Sequence, residues 1–304
     1  MKKGLKKFFA ICGIVTAAGL LMSAAGYAAG GLPSMGRISE RYSWIQVGSE
    51  RDAYTYVEGN EAFDSIDIDG IMGVEIKKGD SSKTRICYGD GQREPRLYVE
   101  DGVLKAESPY KGGGVVIGLG AERKAPVLEV YCEEGRTMKT VSIDGEVQDI
   151  TIGEISAERI EVSNEAGNIT MDGTVFSTGE IRSDIGNIDL ENITSGGLSV
   201  YSDTGSCSIS GDLRGENHLE ADIGDITLRT LLGEEEYTVD ASVDTGSLYI
   251  NGEEFGSYES HYRNGTGAHT INVISDTGNV ELCFAQGAQR GTGYHHGEGR
   301  HRGL

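Results

Sequence analysis

Two sets of side chains in this sequence carry donor atoms at spacings that chemistry could use. The first is a recurring acidic turn: Asp184-Ile-Gly186, Asp203-Thr-Gly205, Asp222-Ile-Gly224, Asp244-Thr-Gly246 and Asp276-Thr-Gly278, with Glu146 and Glu165 in the acidic place upstream. If the repeats stack, these carboxylates form a ladder about one strand spacing apart. A hard divalent cation such as Ca²⁺, bound through oxygen ligands, would relieve their mutual repulsion. The competing reading is structural. Each Asp accepts a backbone N–H two residues on, as an Asx-turn, and the Gly supplies a positive φ. The turn is the preferred reading, since the sequence lacks the Gly-Gly-x-Gly-x-Asp pattern of calcium-binding β-rolls.

The second set is Phe255, Tyr258, His261, Tyr262 and Arg263, within a 13-residue insertion between Asn251 and Thr270. Aromatics and an arginine on a loop that projects from a rigid scaffold make a contact surface for a protein or carbohydrate ligand. Alternatively Phe255 and Tyr258 fold over the end of the stack as a cap, which repeat proteins need; the cap is preferred. His295, His296 and His301 could ligate a transition metal, but their Gly-rich polar surroundings predict disorder over 285–304. Gly112-Gly-Gly-Val-Val-Ile-Gly-Leu-Gly120 lacks the Lys-Ser/Thr of a phosphate loop. His218 and His269 are isolated, and the carboxylates recur with the repeat, so no catalytic constellation and no cofactor are expected.

The elements that must position these residues follow from a repeat. Gly167, Gly186, Gly205 and Gly224 are each nineteen residues apart, and the frame continues at Gly246 and Gly278 with insertions of 3 and 13. Gln148 takes the glycine place one step upstream, which gives seven rungs, numbered here in chain order. Three apolar columns run down the alignment. They begin with Ile143, Val162 and Ile181; with Ile150, Ile169 and Ile188; and with Ile152, Met171 and Leu190. Alternation with period two marks strands with one buried face. The expected fold is therefore all-β, a single-domain β-solenoid of about seven two-strand, two-turn rungs over 62–284. Residues 62–140 form a less regular opening that caps one end.

The formal charge of −21 disfavours nucleic acid and bare anionic lipid as partners. Between Val141 and Phe284 there is no lysine, and the only arginines are Arg159, Arg182, Arg214, Arg229 and Arg263. Of Cys87, Cys132, Cys207 and Cys283, Cys207 stands where other rungs place Ile, Leu or Val, so burial is preferred to disulfide formation there. At the N-terminus, Lys2, Lys3, Lys6 and Lys7 precede an uncharged apolar run over 8–31 that is long enough to span a bilayer as a helix. The lysines predict a single-pass signal anchor with everything beyond it outside the cytoplasm. A cleaved signal peptide, with small residues around Gly26-Tyr27-Ala28, is the other reading. Residues 32–61 read as a stalk.

These motifs together resemble a bacterial family of unknown function labelled as adhesin candidates with β-strand repeats. The likeness spans about 62–284. It rests on the Asp-x-Gly-[Asn/Ser/Asp]-apolar-x-apolar repeat, on Val74-Glu-Ile-Lys-Lys-Gly-Asp80 and on Ile250-Asn-Gly-Glu-Glu-Phe-Gly256. The resemblance implies an envelope location, a repetitive β domain and no established catalytic residues. The expected function is a non-catalytic surface-binding module. The alternatives are an accessory of envelope-stress sensing that binds a partner domain, and a secreted carbohydrate- or cation-binding protein.

Overall fold

The computed structural model describes residues 45–46, 54–59, 61–70, 72–89, 94–107, 115–116 and 126–285. The expected anchor over 8–31, Cys12, most of the Gly112–Gly120 loop and the histidine tail lie outside the described residues.

The three apolar columns are core columns. Ile143, Val162, Ile181, Val200 and Leu219 pair in register along one parallel sheet. Ile150, Ile169, Ile188, Cys207 and Ile226 do the same along a second sheet. All ten are buried. Each aliphatic side chain so buried contributes about 1.5–3 kcal/mol gross, and only the stack supplies the neighbours that bury it.

Three features depart from the expected two-sided, sequentially stacked coil. First, each coil has a short third side. In Ser156–Ala166 the burial alternation breaks at Glu158 and Arg159, two exposed residues in a row, so Ala157 and Ile160 both face inward from different sides of a corner. Beyond that corner Met138, Ala157, Phe176, Ser195 and Leu213 form their own column. Phe176 fills space that Gly179 leaves empty: a Cβ on Gly179 would run into the Phe176 ring.

Second, the rungs do not stack in chain order. Rung 5 pairs with rung 7, through Leu219↔Val273 and Ile226↔Val280. Rung 6 lies outside rung 7, through Ala241↔Val273 and Leu248↔Val280. The glycine turns agree: the Gly224 N–H donates to the Thr277 carbonyl and the Gly278 N–H to the Thr245 carbonyl. The small insertion before rung 6 accounts for the skip. Stepping over two layers instead of one needs about 5 Å more reach. Three added residues, at roughly 3.3 Å each, provide it.

Third, residues 62–140 contribute whole layers. Ser65–Gly70 and Gly73–Gly79 pair with Thr137–Val147 and Ile150–Gly153 of rung 1. Val103–Glu107 and Val127–Glu133 then cover their outer side. The stack is thus the seven rungs plus two further layers. Both outermost layers end on antiparallel strands. At one end Lys83–Gly89 and Arg96–Glu100 flank the outer layer. At the other, Glu253–Ser257 pairs with Ser247–Ile250 and Ser260–Asn264 with Tyr237–Thr245. An antiparallel partner ends the parallel register and blunts the edge against further stacking. Tyr54–Gly59 pairs with Lys83–Gly89, so part of the expected stalk is built into the folded body.

Candidate interaction face

The acidic turns are held together by groups other than their carboxylates. Asp184, Asp203, Asp222, Asp244 and Asp276 are exposed, and none of their carboxylates accepts a hydrogen bond or forms an ion pair. The Asx-turn expectation is corrected accordingly. The preceding residue does part of the work: the hydroxyls of Ser183 and Ser202 donate to the carbonyls of Gly186 (3.5 Å) and Gly205 (3.3 Å). The residue after the glycine does the rest. Backbone N–H groups of Asn168, Asn187 and Ser206 donate to the side-chain oxygens of Asp149, Asn168 and Asn187, at 2.8, 3.1 and 3.0 Å. That inter-rung ladder continues from the Asn279 N–H to Asp225 and from the Ser247 N–H to Asn279.

The glycines themselves are fixed by φ near +150° at Gly186, Gly205, Gly224 and Gly278. A Cβ at Gly205 would also overlap the Gly186 carbonyl oxygen of the neighbouring layer. Among the described residues no group of three or more His, Cys, Asp or Glu side chains could hold a metal ion.

The insertion residues, by contrast, are brought together. Phe255 packs edge-on against Tyr262, with ring centroids 4.9 Å apart. The Tyr262 hydroxyl donates to Glu234, which also accepts from Asn264. Asp240 accepts from His261 Nε2 at 2.6 Å and from Arg263 Nε at 3.0 Å. The His261 hydrogen bond first, and then Arg263, hold the Asp240 carboxyl below its ordinary range. The expected cap is made by backbone pairing, while Phe255 and Tyr258 face solvent at 53% and 71% exposure.

Sequence reasoning missed that this hairpin continues a row on the outward face of the first sheet. The Arg182 guanidinium lies 3.9 Å from the centroid of the Tyr201 ring. Tyr201 meets the His218 ring at 5.4 Å. His218 Nε2 lies 3.2 Å from Glu220, and Asn272 Nδ2 donates to His218 Nδ1 at 3.1 Å. The register then runs Asn272↔Asp240 and Asp240↔Arg263. Asn272 reaches this row only because rung 7 lies between rungs 5 and 6. Arg159, paired with Glu161, stands on the same sheet. Three of the five arginines between Val141 and Phe284, namely Arg159, Arg182 and Arg263, thus stand on one face.

The family model for the Toastrack DUF4097 domain matches residues 71–283. The chain belongs to that family. Within the Toastrack domain lie all seven rungs, the end hairpin and the whole row from Arg182 to Arg263. Among solved structures, a candidate adhesin from Bacteroides fragilis is similar at 11% identity, with 76% of this chain and 98% of that chain covered and a TM-score of 0.44. A candidate adhesin from Parabacteroides distasonis shows 12% identity over 78% and 100%, with a TM-score of 0.37. A candidate lipid-binding protein from the same species shows 13% identity over 78% and 99%, with a TM-score of 0.32. No curated protein matches the chain.

All four cysteines of the Toastrack domain are free thiols. Burial pushes the Cys132 and Cys207 thiols up to about 11. They behave as small core hydrophobes, as the column position of Cys207 implied.

Proposed function

We propose that this Toastrack protein is a non-catalytic binding module of the cell envelope, anchored by residues 8–31 and displaying its stack outside the cytoplasm. The observation that carries the reading is the row Arg182, Tyr201, His218, Asn272, Asp240, His261 and Arg263. It sets aromatic rings, planar cations, donors and acceptors along a parallel stack whose backbone is pinned layer to layer. Such a surface meets a carbohydrate or protein ligand with little ordering cost. The export part of the proposal is supported by the four lysines ahead of the apolar run.

A partner-binding role in envelope-stress sensing is the second reading. The outward-facing Phe255, on an outermost strand, and Tyr258, in the bend that follows it, favour it, because aromatic anchors at a sheet end are suited to a folded partner.

The test is attachment of cells carrying the full chain to matrix or to other cells. The variants are Tyr258→Ala and the pair His261→Ala with Arg263→Ala. Attachment falling at least about fivefold, with surface level unchanged, supports the adhesion reading. Attachment that is unchanged, together with crosslinking from position 258 to one folded partner, replaces it with the sensing reading. Unchanged attachment with no crosslink removes the face from both.

A further inference from the structure

The turn edge carries a column that neither the core nor the candidate face uses. Immediately before the turn position stand Val147, Ala166, Ile185, Thr204 and Ile223, in register from layer to layer. Val147, Ile185 and Ile223 are 49%, 62% and 57% exposed. Single exposed aliphatics are ordinary on a protein surface. These three recur on alternate layers of one straight edge, about 9.6 Å apart, with only Ala and Thr between them. The turn does not demand them, since Thr245 and Thr277 serve in the same place.

The surroundings define what could cover the stripe. On one side the glycine column offers no side chain except Gln148 after Val147, and beyond it Asn168 and Asn187 are tied to the backbone. On the other side run Glu165, Asp184, Asp203 and Asp222, none of whose carboxylates has a hydrogen bond or an ion pair. At the end of that column the Glu146 carboxyl is pushed up by partial burial and then by Glu165, Asp69 and Asp144, the mark of negative charge without a counter-charge. A second copy would set two such carboxylate columns face to face. Anionic lipid and nucleic acid meet the same repulsion.

We infer that the stripe is a docking surface for a cationic amphipathic peptide segment of a protein partner. Apolar side chains of the segment sit on Val147, Ile185 and Ile223, and its Lys or Arg residues meet the flanking carboxylates. On a helix, positions i and i+7 recur about every 10.5 Å, close to the two-layer spacing of the stripe. This surface is separate from the Arg182–Arg263 face, so either can fail without the other.

The experiment uses the full chain in zwitterionic nanodiscs, with empty discs as the blank. The probe is a fluorescent Leu/Lys helical peptide whose leucines recur on one face at i and i+7. A scrambled peptide of the same composition is the control. The helical peptide binds about tenfold tighter than the scrambled one. Ile185→Ser with Ile223→Ser removes that advantage. Asp203→Asn with Asp222→Asn weakens binding several-fold and flattens its salt dependence. Tyr258→Ala leaves it unchanged. Near-constant unfolding midpoints show that the variants fold. Equal binding of the scrambled peptide, or full binding to the Ile variant, overturns the inference, because the interaction is then adsorption to negative charge. Loss on Tyr258→Ala alone overturns it too, by moving the peptide to the hairpin.

Discussion

At the scale of single residues, the turn separates what is structural from what is free to act. Gly205→Ala places a Cβ against the Gly186 carbonyl at a φ that L-residues rarely adopt. Strain and overpacking together predict a loss of about 3 kcal/mol or more, read as a lower denaturant midpoint. Asp203→Ala, two residues earlier, should stay within about 0.5 kcal/mol, because its carboxylate accepts nothing. A loss near 1 kcal/mol would restore the Asx-turn.

Cys132 and Cys207 give the pH prediction. Their folded pKa values lie at about 11, above those of the unfolded thiols. Folding is therefore favoured by this pair below about pH 8.5, and the contribution is lost as pH rises toward 11. Thermal melts should show the decline, and Cys132→Ala with Cys207→Ala should flatten it. The sequence already showed Cys207 as a core position through its column. It could not show that Asp203 is unbonded, since an Asp before a Gly has the same letters whether its carboxylate caps the turn or points to water.

At the scale of elements, period-two alternation made the strands and three core columns legible, and the nineteen-residue spacing made the rungs legible. Layer order was not, because identical columns fit against any neighbour. Order depends instead on the reach of the connections, as in the three extra residues before rung 6. The third side was hidden because one corner, at Glu158 and Arg159, resets the alternation within a single strand. Hydrogen exchange tests the order. His269–Thr277 is the last long strand in the chain but lies between two layers, so its amides should exchange as slowly as those of Leu198–Thr204. Exchange as fast as a frayed end would put rung 7 outermost.

At the scale of the molecule, the last rung in the chain lies in an interior layer, and both outer layers close on antiparallel strands. The charge of −21 adds self-repulsion, so moderate salt should raise stability. Thermal melts across ionic strength check this. The candidate face was only partly legible. The hairpin residues stood out by composition, but the link from Tyr201 and His218 through Asn272 to the hairpin exists only because rung 7 lies between rungs 5 and 6. The proposed function requires the stack to be held outside the membrane. Protease treatment of intact protoplasts, followed by sizing of the membrane-bound remnant, tests it most directly. The stack should be cut away from outside while the unprocessed N-terminus stays with the membrane. A soluble mature chain in the medium, or repeats protected inside the cell, would contradict it.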